Sequence, residues 1–363
     1  MSNLSNNIYM SKIKSFFYKN DWDPLPYQIE SWEAYLNGKN GIIQVPTGCG
    51  KTYAALMGPL SKLEESIENN SINILVITPL KALSRDIKHS INLAAKHFNE
   101  KIKVEIRNGD TTPYEKKKQI LKPPNVLITT PESLSLLLSS KESNKIFSKL
   151  SSVVIDEWHE LMGSKRGNQC ELSLSWLRGN RSNLQIWAMS ATIGNIEEAA
   201  RAIVGVKGEN PKIITTTIKK ELEIFSVLPE EISTFPWSGH LGIRSNSRLL
   251  KILDKNKSTL LFTNTRNQSE RWYQCLKFYL PDMEDKIAIH HGSLDKEERR
   301  IVENGVKNGL IKWVVCTSSL DLGVDFQPVD QIVQIGSAKN LGRLIQRAGR
   351  SAHRPGGKSK IIF

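Results

Sequence analysis

Short, almost wholly apolar runs punctuate this chain, and they constrain its fold more than any other feature. "NGIIQV", "INILVIT", "NVLITT", "SSVVIDE" and "NLQIWAMS" form a first series, and "STLLFTN", "KIAIHHG", "IKWVVCTS" and "DQIVQIG" form a second. Runs with no polar alternation suit strands buried on both faces, the habit of parallel sheets. Helical stretches separate them, so the expected fold class is α/β, with two open parallel sheets in tandem. A length of 363 residues also suits two domains of ordinary size. The expected boundaries are 1–212 for the first domain, 213–240 for an interdomain linker and 241–363 for the second. The linker contains "EIFSVLPEEISTFPWSGHLG", which is rich in Pro, Gly and mixed charge. The chain stops on "SKIIF", which reads as the start of another strand. Either that strand is an edge, or the chain is a piece of something longer with its second domain incomplete.

Charge narrows the partner. Lys and Arg number 50 against 37 Asp and Glu, a formal net charge of +13. That excess favours a polyanion, nucleic acid before an acidic membrane surface. No segment approaches the roughly 18 apolar residues of a membrane span, and "MSNLSNNIYMSKIKSFF" lacks a signal-peptide core. Cys49, Cys170, Cys275 and Cys316 form no CxxC pair, which argues against a zinc site or a disulfide framework. They suit reduced thiols in a cytoplasmic protein.

The chemistry begins at "QVPTGCGKT", residues 44–52, between an apolar run and the helical "YAALMGPLSKLEE". Strand, glycine turn and helix are the context that a phosphate loop requires. Thr47, Gly48, Cys49 and Gly50 offer backbone N–H groups to phosphate oxygens near a helix N-terminus. Lys51 is placed to reach the outer phosphates of ATP and Thr52 to ligate Mg2+. Val45 occupies the place of the usual first glycine, but the amides, amine and hydroxyl that do the work remain. In "VVIDEWHE", Asp156 and Glu157 end an apolar strand, suited to hold magnesium and to activate water. His159 has no metal-ligating company at a sensible spacing, so a core or coupling role suits it, and Trp158 suits packing. In "LIQRAGRSAHRPG", Arg347 and Arg350 share a helical face and could stabilise charge at a γ-phosphate. Gly323 and Asp325 in "TSSLDLGVD" suggest a second loop serving the same site.

The order of these motifs resembles that of superfamily 2 helicases from about Trp22 to Gly356. "TPLKALSRD", "TTPESLSLLL", "DEWHELMGSKRG", "SATIGN", "FPWSGHLG", "FTNTR", "HHGSLDKEER", "CTSSLDLGVDF" and "QRAGRSAHRPG" are similar to the Lhr (large helicase-related) family, particularly its bacterial ligase-associated branch. The resemblance implies two RecA-like domains of the P-loop NTPase fold, with ATP bound between them. It implies that Gln28 reads the adenine edge, with Trp22 or Tyr27 over the ring. Ser190, Ala191, Thr192 and Gln346 would couple hydrolysis to closure, and Gly323 and Asp325 would lie near ribose and γ-phosphate. Arg350 is the leading arginine finger, with Arg347 beside it. Ala352 and His353 stand where many helicases have Gly-Arg, which would shift that task further onto Arg347 and Arg350.

For nucleic acid, the strand-end residues Thr78, Pro79, Lys81 and Arg85, and Thr130, Pro131 and Ser133, suit phosphate contacts that read no bases. Lys165 and Arg166 lean towards strand contact rather than a plain surface loop. The resemblance adds Gly109, Thr263, Arg266, Gly292, Thr317 and Ser318. Together these imply a DNA-stimulated ATPase on single-stranded or forked DNA; the family resemblance, and not the residue chemistry, implies 3′-to-5′ movement and a role among DNA-repair proteins. Backbone contacts separate polymers poorly, so RNA or an RNA:DNA hybrid remains an alternative substrate, as does an ATP-gated clamp or remodeller that does not unwind. A chain that stops after the last motor motif is expected to unwind with poor processivity.

Overall fold

A computed structural model describes residues 2–46, 48–63, 71–81, 83–191, 193–205, 210–216, 222–227, 246–321, 329–338, 341–351 and 359–363. Its contacts divide the chain into two units, Met1–Thr217 and Ile218–Phe363.

The first unit is built on seven parallel strands. These are β1 (Gly41–Gln44), β2 (Ile74–Ile77), β3 (Val104–Arg107), β4 (Val126–Thr129), β5 (Ser152–Ile155), β6 (Gln185–Ser190) and β7 (Lys212–Thr215), in the order β3-β4-β2-β5-β6-β1-β7. The central strands β2, β4 and β5 are buried along their whole length, as their unbroken apolar character requires. Among the described residues ten helices accompany them: α1 (Ser2–Lys19), α2 (Pro26–Leu36), α3 (Lys51–Leu63), α4 (Leu83–Phe98), α5 (Pro113–Leu121), α6 (Pro131–Leu138), α7 (Ser143–Ile146), α8 (Trp158–Leu161), α9 (Lys165–Asn180) and α10 (Ile196–Val204). Alternate residues of the inner strands feed two separate cores. In β5, Val154 joins a cluster with Trp32, Leu56 and Phe98, whereas Val153 and Ile155 join one with Trp158, Leu134 and Leu174.

The second unit holds six parallel strands, β8 (Leu222–Phe225), β9 (Thr259–Phe262), β10 (Ile287–His290), β11 (Trp313–Cys316), β12 (Gln331–Gln334) and β13 (Ser359–Ile362). Their order is β10-β11-β9-β12-β13-β8. The helices are α11 (Asn246–Ile252), α12 (Arg266–Tyr279), α13 (Lys296–Lys307) and α14 (Leu341–Ala348). The expected class, two parallel α/β sheets, is the class observed.

Three strands depart from expectation. β3, β7 and β8 lie at sheet edges, where polar residues interrupt the apolar run: "VEIR" in β3, an exposed Lys212 and Thr215 in β7, and "LEIF" in β8. The stretch 213–240 expected as linker therefore contains most of β7 and all of β8, and each strand belongs to a different sheet. The strand in "SKIIF" is not an edge, because β13 pairs with β12 on one side and β8 on the other. Among the described residues no helix is long and apolar enough to cross a membrane.

Candidate nucleotide site and strand-end surface

In an all-parallel sheet every strand delivers its following loop to the same edge, so residues far apart in sequence gather there. In the first unit β1 delivers the phosphate loop. Gly48 and Gly50 adopt φ of +77° and +84°, a left-handed backbone that a side chain would strain. The loop is fastened from α2: the Tyr27 hydroxyl donates to the Cys49 carbonyl, and Gln28 Nε2 donates to the Gly50 carbonyl at 3.1 Å. Gln28 Oε1 accepts from Leu25 N at 2.9 Å, so both ends of its amide are engaged. A Cβ on Gly50 would come within 2.7 Å of Gln28 Nε2. Lys51 is buried, and its ammonium donates to the Val45 carbonyl at 2.9 Å. Val45 thus supplies an acceptor through its backbone, and its φ is not positive, so its place needs no glycine conformation.

Two expectations around the adenine shift accordingly. Tyr27 is buried with its hydroxyl committed to the loop, and burial raises its pKa; it anchors and does not face a ring. Gln28 likewise holds Gly50 here. Trp22 stays 40% exposed, braced by Phe16, Phe17 and Tyr53 at centroid distances of 6.0, 6.2 and 5.6 Å. It is the aromatic with a free face.

The acidic pair follows β5. Asp156 is buried, and its carboxyl is raised to about 7, first by burial and then by the charge of Glu157, with Lys51 opposing. A cation held here would relieve that penalty. Glu157 has φ +45° and ψ +50°, a left-handed conformation that costs a non-glycine residue roughly 1–2 kcal/mol. Its Oε2 is buried and accepts no hydrogen bond among the described residues; His159 Nδ1 lies 3.5 Å away. Burial lowers the His159 pKa, and Nδ1 of this ring sits 2.8 Å from the Ser190 hydroxyl at the end of β6. His159 therefore stands between Glu157 and Ser190. Among the described residues no cluster of three or more His, Cys, Asp or Glu could hold a metal by itself. One carboxylate and the Thr52 hydroxyl beside phosphates suit magnesium, which takes few protein ligands.

In the second unit Arg347 is engaged within its own unit. It is 3% exposed and forms a fork with Asp321, Nε to Oδ1 at 2.6 Å and Nη2 to Oδ2 at 3.0 Å. Its Nη1 donates to Gln334, and its guanidinium lies 4.7 Å from the centroid of the Phe262 ring. All of its donor edges face inwards, so it fastens the ends of β9, β11 and β12. Asp321 supplies its counter-charge from within the unit. Arg350 is half-buried, with Nη2 donating to the Asp321 carbonyl at 3.0 Å. Gln346 is buried in α14 beside Arg347, whereas Arg350 follows that helix in a 3-10 turn, Gly349–Ser351, so the two arginines do not share one α-helix.

The nucleic-acid candidates also gather by strand. Thr78, Pro79 and Lys81 follow β2, Gly109 follows β3, and Thr130, Pro131 and Ser133 follow β4, three neighbouring strands. In the second unit Thr263 and Arg266 follow β9, Gly292 follows β10, and Thr317 and Ser318 follow β11, again neighbours. The side chains divide sharply. The Thr78, Thr130 and Thr263 hydroxyls are buried and bonded internally, Thr78 to the Leu80 carbonyl, Thr130 to Ser133, and Thr263 to Ser269 and the Cys316 carbonyl, so these hydroxyls are already engaged. Lys81, Arg85, Lys165 and Arg266 are exposed. Three of the cations carry carboxylates: Lys81 pairs with Asp110 at 2.7 Å, Arg266 with Glu270 at 2.7 Å, and Arg166 forms a fork with Glu132. Thr47, Thr192, Gly323, Asp325, Ala352 and His353 lie outside the described residues.

Sequence reasoning missed Asp321, the Asp110 and Glu132 partners, and Tyr27 as a loop anchor. Only the last left a local signal, an aromatic directly before Gln28.

Residues 25–199 match the DEAD/DEAH box helicase family, and residues 244–356 match the helicase conserved C-terminal domain. With two parallel α/β units, a phosphate loop and an Asp-Glu pair, the chain is a superfamily 2 helicase by family. It is 36% identical over 369 residues to the ATP-dependent helicase Lhr-Core of Methanocaldococcus jannaschii, covering 97% of this chain and 43% of that protein. It is 29% identical to the Lhr helicase/uracil glycosylase of Escherichia coli, covering 100% of this chain and 27% of that one. The Mycobacterium smegmatis helicase Lhr, solved with ssDNA and AMP-PNP, superposes with a TM-score of 0.84 at 29% identity, over 97% of this chain and 47% of that chain. Within the class, this chain belongs to the Lhr family, and it spans less than half the length of these relatives.

Proposed function

We propose that this chain is a nucleic-acid-stimulated ATPase that moves along single-stranded DNA from 3′ to 5′ in the service of DNA repair. One observation carries the reading: the sheet order of the first unit sorts its loops into two groups on one edge. Loops after β1, β5 and β6 hold Lys51, Asp156, Glu157 and Ser190; loops after β3, β4 and β2 hold Gly109, Thr130 and Lys81. Because β2 pairs with β5, a shift in the nucleotide half is felt at once in the track half.

Lys51 leaves Val45 to meet the outer phosphates, and the loop amides around Gly48 and Gly50 hold the inner ones. Thr52 and Asp156 would hold magnesium, which supplies charge neutralisation on the phosphates. Glu157, its Oε2 buried and unbonded, is the base that orients the attacking water and takes its proton. His159 passes the change in that carboxylate to Ser190. Arg350 keeps the γ-phosphate assignment, with Arg347 as support beneath it. In the track the backbone of the strand-end loops meets phosphates, so binding is sequence-independent and salt-sensitive.

Glu157→Gln is expected to bind ATP as the parent does and to lose turnover, and unchanged ATPase would sink the active-site assignment. ATPase measured with single-stranded DNA, RNA and a hybrid tests the substrate. Stronger stimulation by RNA or the hybrid would reassign the polymer, and ATP turnover without strand movement would make the chain a clamp.

A further inference from the structure

The strand-end track does not account for the most basic stretch of the first unit. α5 carries Lys116, Lys117 and Lys118, with Lys122 following it, and Glu115 is the one acidic residue of the helix. Glu115 is spent locally. It closes a capping box, accepting from Thr112 N at 2.9 Å and from the Thr112 hydroxyl at 2.8 Å. These bonds hold its carboxyl below the usual range, helped by the charges of Lys118 and of Lys88 from α4. One α-helical turn before Lys88, Arg85 is exposed and belongs to the expected track.

The helix is pinned in a fixed orientation. Arg107 at the end of β3 donates to the Lys116 carbonyl at 2.9 Å and to Gln119 Oε1 at 3.3 Å, and Gln119 Nε2 donates to the Ile106 carbonyl at 3.0 Å. What remains outward is a face spaced i, i+3, i+4, i+7: Tyr114, Lys117, Lys118 and Leu121. Tyr114 is 77% exposed and Leu121 70%. An exposed ring between lysines matches the stacking platforms of single-strand binders, which pair aromatic faces with cations along the backbone. The face is also continuous with the track, because α5 starts just after Gly109 and Asp110, the loop to which Lys81 is bonded.

We propose that this face of α5 is an accessory binding surface for single-stranded nucleic acid leaving the strand-end track. Lys117 and Lys118 meet phosphates and Tyr114 stacks on an unpaired base. The inference rests on the nucleic-acid reading above and extends it to a longer footprint than the loops alone provide.

The test compares two fluorescent oligonucleotides, one of about 8 nucleotides that fills a single platform and one of about 25 that overruns it. Lys117→Ala/Lys118→Ala is expected to bind the short one as the parent does. For the long one it should flatten the slope of log K against log salt by about 1.4, at about 0.7 per lost phosphate contact. Tyr114→Ala should weaken the long one about fivefold or more, again sparing the short. The control is Lys141→Ala/Lys145→Ala, an equal loss of charge in the segment that leads into the opposite end of β5, and it should change neither. Wild-type slope and affinity for the long oligonucleotide in the α5 variants would overturn the proposal. So would an equal loss on both lengths, or the same effect from the control. A parent chain that binds neither oligonucleotide would overturn the nucleic-acid reading itself, a different result from a parent that binds both alike.

Discussion

Arg347→Ala is expected to loosen the second unit rather than merely slow its chemistry. Both partners of the Arg347–Asp321 pair are almost wholly buried, at 3% and 5% exposure. Removing the guanidinium leaves the Asp321 carboxylate in the interior without its two charged hydrogen bonds, and it takes away the donor to Gln334 and the cation over Phe262. Breaking one side of such a pair costs about 3–5 kcal/mol, a large share of the roughly 5–15 kcal/mol that holds a domain folded. At about 1.4 kcal/mol per tenfold, amide protection in β9 and β12 should fall by roughly 10²- to 10³-fold. Peptide-resolved hydrogen exchange reads this directly, with β1 and β5 of the first unit as internal reference and expected to stay as in the parent. Arg347→Met combined with Asp321→Leu should recover much of the protection, because replacing both charges removes the uncompensated one. If Arg347→Ala kept full protection in β9 and β12 while losing ATP turnover, the architectural role would be wrong and the arginine would belong at the phosphate.

Further outcomes are expected at the loops. Tyr27→Phe removes the hydroxyl that holds the Cys49 carbonyl, worth about 1 kcal/mol net, so nucleotide affinity should fall about fivefold in a fluorescent-nucleotide titration; an unchanged Kd would reject the anchor. Gly50→Ala places a Cβ 2.7 Å from Gln28 Nε2 on a backbone of φ +84°. It should cost roughly 1–2 kcal/mol in strain and weaken nucleotide binding by about tenfold or more, and normal binding by this variant would show that the loop does not need that conformation. Asp110→Asn removes the carboxylate that Lys81 holds at 2.7 Å. Oligonucleotides should then bind more tightly, with a salt slope steeper by about 0.7, whereas weaker binding would mean that Asp110 orients Lys81 for its task.

What could be seen in advance was whatever is written within a few consecutive residues. The buried strands showed because parallel β5 is apolar on both faces, and the phosphate loop showed because strand, glycines, lysine and helix are contiguous. β3, β7 and β8 hid because an edge strand keeps one side in water, so "VEIR" and "LEIF" carry charges that break an apolar run. The role of Arg347 hid for a different reason. Its motif predicts a guanidinium near phosphate, but what decides its direction is Asp321 at the end of a different strand, and no spacing rule links the two. The same holds for Lys81 and Asp110, which follow β2 and β3 and meet only because β4 lets both strands end on one edge.

The place of β8 bears on how the chain is made. Among the described residues it is the first strand of its unit in sequence, yet it pairs only with β13, which lies beyond every other described strand of that unit. During synthesis β8 leaves the ribosome early and must wait for the last strand before it has a hydrogen-bonding neighbour. Closing so long a loop is slow. In that interval Ile224 and Phe225, half-exposed even in the finished sheet, are offered to any other unpaired edge. The first unit, whose strands are complete by Thr215, can fold meanwhile. Its finished sheet precedes its neighbour, and the waiting edge strand marks where newly made chains are most prone to stick to one another.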